Sequence, residues 1–172
     1  MAIYALGDLV PDIDPSAYVH PDATVIGRVT IGPESTVWPQ AVLRGDHGEI
    51  VIGARTSIQD GTVVHTTETN PTRIGSDCVV GHAVHLEGCT LEDGSLAGSG
   101  SVVLHQVVVR TGAVVAANAV LTGGAEVPPG AMAAGVPARI RPGAVDPDMI
   151  ARAVAHYVEN GKRFRAELRR LD

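Results

Sequence analysis

Two imidazoles and one carboxylate make a three-ligand set for a divalent metal that leaves a fourth place for water. His65, His82 and Glu87 are the residues of this chain whose spacing suggests such a set. Residue type alone does not select them, because the chain has 7 histidines. His20, His47 and His156 read as solvated surface side chains, while His105 falls at an outward position near the same faces as the candidate ligands. Nucleotide chemistry has no support: there is no Walker loop, and Gly98-Ser99-Gly100 lacks the third glycine of a dinucleotide fingerprint. The case for the three ligands rests on the elements that must carry them.

Those elements repeat every six residues. Apolar residues lead successive hexads at Val19, Val25, Ile31, Val37 and Leu43, then at Ile52, Ile58 and Val64, then at Ile74, Val80 and Leu86. From Leu91 to Ala133 the step of six is unbroken. The interruptions at 44–51 and 65–73 read as small insertions. A period of six is neither helical nor simply alternating. It requires a two-residue strand followed by a corner, and three hexads close one triangular coil of a parallel β-helix. Coils stack at the ordinary strand spacing, so equivalent positions form columns. With Val19 on face one, Val25, Leu43, Val64, Leu86 and Val103 all lead face two, and the residue after each points outward. That outward column reads Ile26, Arg44, His65, Glu87, Leu104. His65 and Glu87 therefore occupy adjacent rungs above Arg44. Face one instead carries Gln59 and Asp60 and, one coil later, Gly81 and His82. His82 can join the other two only from a neighbouring subunit.

Composition agrees with a thin, repeated core. Of 172 residues, 45% are hydrophobic but 3% aromatic, so the interior must be filled by small and β-branched side chains. The net charge of −6 argues against a nucleic-acid or anionic-membrane surface. No apolar run approaches the roughly 20 residues of a membrane span. Residues Met1 to Val10 carry Asp8 and no basic run, unlike a secretory signal. Two cysteines exclude a disulfide scaffold and point to the cytoplasm. The organisation expected is a β-helix over 1–143 followed by a helical segment over 144–172. Asp146-Pro147 is a helix start, and Ile150, Val154, Tyr157, Phe164 and Leu168 form one apolar stripe for docking on the prism. Gly161 is a candidate bend or break.

The ordered set Arg44-Gly45-Asp46, Gln59-Asp60, His65, Gly81-His82 and Gly88-Cys89 resembles the gamma-class carbonic anhydrase family over roughly residues 10–172. The resemblance implies a left-handed β-helix and a homotrimer with zinc, or iron or cobalt, at each of its three interfaces. It also implies that two ligands come from one subunit and one from the next. The activity implied is reversible hydration of carbon dioxide to bicarbonate through a metal-bound hydroxide. By the same resemblance Gln59 hydrogen-bonds the water or bicarbonate, Tyr157 lies at the mouth of the site, and Arg44, Asp46 and Asp60 form ion pairs that hold the interface.

One departure from the family matters. Its usual pattern is Gly-His-x-x-x-x-His-Gly-Cys, whereas this chain has Glu87 at the second histidine and an extra His85 two residues earlier. Three outcomes stay open: Glu87 ligates, His85 reaches in instead, or the site is metal-poor. Two other classes follow from the alternatives, a non-enzymatic trimer that binds a small molecule or metal chelate and a hexapeptide acyltransferase.

Overall fold

The computed structural model describes residues 2–172 and is a left-handed β-helix of about seven coils closed by one C-terminal helix. Short parallel strands stack into three ladders, one per prism face. The first face runs from Tyr18–Val19 through Thr36–Val37, Ser57–Ile58 and Val79–Val80 up to Met132–Ala134. There Arg139–Arg141 pairs antiparallel with Met132–Ala134 and ends the ladder. The other two faces join because two long strands turn a corner without a break. Thr24–Ile31 and Val42–Ile52 each contribute their first half to the second face and their second half to the third. The insertion expected at 44–51 is thus extended chain. It is accommodated by a register shift in which Gly27 pairs with Gly45 but Val29 pairs with Ile50.

The hexad leaders form the core as the period requires. Val25, Leu43, Val64, Leu86 and Val103 are all fully buried along the second face. Threonines fill much of the remaining interior and need partners there. The Thr62 hydroxyl donates to the Gly81 carbonyl at 2.7 Å, and that of Thr56 donates to Gly75 at the same distance, each tying one coil to the next.

The helix spans Pro147–Glu167, with the Asp146 carboxylate accepting from the Asp148 N–H at its start. It docks on the first face, where Ile150 and Val154 are buried with Val79 and Val114. Tyr157 and Phe164 meet Trp38 at ring-centroid distances of 6.0 and 5.0 Å. Leu168 lies just past the helix and is exposed. Gly161 does not split the helix, which runs unbroken through it. A Cβ at that position would stand 2.6 Å from Thr36 Cγ2, so the glycine lets the helix axis approach the prism closely. No helix among the described residues is long and apolar enough to cross a membrane.

Candidate metal centre

The second-face column has the predicted register. Ile26 pairs with Arg44, Arg44 with His65, and His65 with Glu87. Because successive coils share one pleat, His65 and Glu87 project side by side. His65 Nδ1 lies 3.3 Å from Glu87 Oε1. The other ring nitrogen, Nε2, lies 3.1 Å from Asp46 Oδ1. Asp46 is in turn paired with Arg44. Burial acts to raise the Asp46 carboxyl, but hydrogen bonds from Arg44 and His65 outweigh it and hold it below the usual range.

His82 belongs to a different group on the first face. Its Nδ1 lies 2.9 Å from Asp60 Oδ2, and its side chain is more than half exposed. Gln59, next to Asp60, is buried. Burial pushes the Tyr157 phenol up; the Asp60 charge adds to this and the neighbouring Gln59 side chain offsets part. Arg44, Asp46, His65 and Glu87 are thus assembled on one face, and Gln59, Asp60, His82 and Tyr157 on another. Among the described residues of one chain, no group of three or more His, Cys, Asp or Glu side chains is arranged to hold a metal ion.

The donors nonetheless suit a metal shared between chains. Two ligands of a tetrahedral zinc at about 2.0–2.1 Å stand about 3.3–3.4 Å apart, and His65 Nδ1 and Glu87 Oε1 have that separation. Metal-binding imidazoles usually engage a carboxylate through their second nitrogen. Asp46 plays this part for His65 and Asp60 for His82, which leaves His82 Nε2 directed away from its partner.

Two further histidines gather at Glu87, and one departs from its sequence reading. His105 Nε2 reaches to 3.3 Å from Glu87 Oε1, and His85 Nε2 lies 3.2 Å from Glu87 Oε2. Glu87 therefore has three imidazoles around one carboxylate. Burial works to raise its carboxyl, and His105, then His85, then His65 together hold it below the ordinary value. The sequence signal for His105 was its place two residues past Val103, on the coil above Glu87. His20 is buried instead of solvated, its Nδ1 accepting from the Asp22 N–H at 3.1 Å.

No family model matches the chain. It is 37% identical over 173 residues to the mitochondrial gamma carbonic anhydrase 2 of Arabidopsis thaliana, a match covering 91% of this chain and 62% of that protein. The chain spans about three-fifths of the length of the two plant carbonic anhydrases it matches. It is 34% identical over 139 residues to the carnitine operon protein CaiE of Escherichia coli, covering 81% of this chain and 71% of that one. Among solved structures, a hexapeptide transferase family protein from Anaplasma phagocytophilum superposes with a TM-score of 0.91 at 32% identity. That match covers 95% of this chain and 98% of the other. A presumed acetyltransferase of Bacillus cereus superposes at 0.93, also at 32% identity, over 96% and 97% of the two chains. With the hexapeptide coils, the ordered motif set and these relatives together, the chain belongs to the gamma-class carbonic anhydrase family of hexapeptide-repeat proteins.

Proposed function

We propose that the chain is a metal-dependent, carbonic anhydrase-like protein that works as a homotrimer and reversibly hydrates carbon dioxide to bicarbonate. Each interface combines His65 and Glu87 of one subunit with His82 of the partner subunit. The observation that carries this reading is the division of the donors. A matched pair stands 3.3 Å apart on one face, while a carboxylate-oriented imidazole faces outward from another. Two imidazoles and a carboxylate suit zinc and also iron(II), with cobalt as a substitute. When bound, the metal supplies a Lewis acid that makes water nucleophilic near neutral pH.

The chain's own residues do the rest. Asp46 and Asp60 fix the rotation of His65 and His82, and Arg44 fixes Asp46. The Gln59 amide orients the water or the bicarbonate, and Tyr157 restricts the entrance beside it. Glu87 brings a negative charge where relatives of the usual pattern have a neutral ring. That lowers the net positive charge of the centre and moves activity to higher pH. The unpaired, buried Cys78 and Cys89 suit a reducing compartment such as the cytoplasm.

Metal analysis of the purified protein, with stopped-flow hydration assays before and after chelation, tests the reading. The expected result is about one metal per subunit and activity that chelation abolishes and zinc or iron restores. Metal-free, inactive protein overturns it in favour of a non-enzymatic binding trimer. That second reading draws on the occupation of both Glu87 oxygens by the chain's own imidazoles.

A further inference from the structure

We propose that His85 and His105 are positioning residues that clamp Glu87, so that a carboxylate can serve where an imidazole would otherwise ligate. The inference rests on the metal-binding reading above. A glutamate replacing a histidine ligand raises two difficulties. Its side chain has one more rotatable bond than histidine, so more freedom is lost on binding. It also offers two equivalent oxygens, so it can turn and chelate through both.

The structure answers both difficulties at one place. His85 Nε2 holds Oε2 at 3.2 Å from within the same strand, His85–Glu87. His105 Nε2 approaches Oε1 at 3.3 Å from the next coil. Oε1 is also the oxygen beside His65 Nδ1. A carboxylate oxygen has two lone pairs. Oε1 can therefore meet His105 and still serve on the His65 side, while Oε2 is occupied by His85. The carboxylate is thereby limited to one donor atom facing the candidate metal.

The backbone is shaped to admit this arrangement. Gly88 has a φ of +63°, and a Cβ there would lie 2.9 Å from His105 Cδ2 and 2.8 Å from Asn70 Cβ. Only a glycine lets the His105 ring lie over the Glu87–Gly88 corner. The hydrogen bond with His85 and the nearby His105 ring also draw charge away from the carboxylate, so it resembles a neutral ligand more closely than a free glutamate would.

The test uses the full-length protein, stripped by chelation and reloaded with zinc or cobalt(II). Zinc affinity is measured by chelator competition, and the visible absorption of the cobalt form reports coordination number. We expect His85→Ala and His105→Ala each to weaken zinc binding about 10–100-fold. The cobalt bands should lose intensity as Glu87 becomes bidentate. His85→Gln and His105→Gln, which keep an N–H donor, should restore most of the affinity and guard against a folding defect in the alanine variants. In a Glu87→His background the same alanine substitutions should leave affinity and spectrum unchanged. If parent protein binds zinc but the alanine variants match it, the clamp is wrong and the metal site stands. Equal losses in the Glu87→His background would mean general structural support, which also overturns the clamp. A parent that binds neither zinc nor cobalt overturns the metal-binding reading and the clamp together.

Discussion

At the residue scale, the exchange of an imidazole for the Glu87 carboxylate has consequences of a definite sign. Under the proposed function, Glu87→His removes one negative charge from the centre, and activity at neutral pH should rise about tenfold for each unit by which the acid limb of the pH–rate profile moves down. A stopped-flow profile of the two proteins measures this directly. The same carboxyl also affects stability. The folded protein holds the Glu87 acid below its ordinary value. Its contribution is therefore complete above that ordinary value and is lost as pH falls through the folded one. Glu87→Gln should accordingly lose less melting temperature than the parent on acidification from pH 6 to pH 3. Cysteine chemistry follows burial in the same way. Burial pushes the Cys89 thiol up to about 12 and raises Cys78 as well. Neither should react with iodoacetamide at pH 8 until the protein is unfolded, which mass spectrometry would show. The period of six made the His65–Glu87 adjacency legible, because a pleat fixes the direction of the residue after each hexad leader. His105 lies one place further, in a corner, where the pleat no longer sets direction. Its neighbourhood could be read from the sequence, but its contact with Glu87 required the Gly88 turn to be known.

At the scale of elements, the docking of the helix gives a case in which two known effects oppose each other. Replacing a glycine inside a helix with alanine favours the helix by about 0.5–1 kcal/mol. At Gly161 the added Cβ would meet Thr36 Cγ2 at 2.6 Å, and overpacking of this kind costs about 1–3 kcal/mol. The clash should win, and Gly161→Ala should lower the melting temperature. Adding Thr36→Ser removes the obstructing methyl and should return most of the loss. If Gly161→Ala is instead more stable than the parent, the close approach is not a constraint. The sequence announced where this helix begins, through Asp146-Pro147, and which side is apolar. It did not reveal what Gly161 was for, because a missing side chain is silent about the neighbour that requires its absence.

At the scale of the whole molecule, the decisive fact is that the donors lie on two faces of one prism. A triangular β-helix cannot bend one face round to meet another, so under the proposed function only a second chain can complete the set, and the ring of three implied by the family resemblance satisfies every copy equally. Light scattering should therefore report a trimer, and mixing two defective proteins should restore part of what each has lost. His65→Ala supplies an intact His82 but no matched pair. His82→Ala supplies His65 and Glu87 but no third donor. Each variant alone should lack stoichiometric metal. In trimers formed at random from equal amounts, an interface is whole only when the His82→Ala chain provides the pair and the His65→Ala chain provides the lone imidazole. Each choice has even odds under the cyclic symmetry, so about one interface in four is whole across all trimers, and about one in three should regain metal and activity among the mixed trimers. Co-expression of the two variants with different affinity tags, followed by metal analysis of the doubly tagged fraction, makes the measurement. A site contained within one chain would gain nothing from mixing. Metal content at the level of the separate variants would therefore refute assembly between subunits, even if the protein proved to be a trimer.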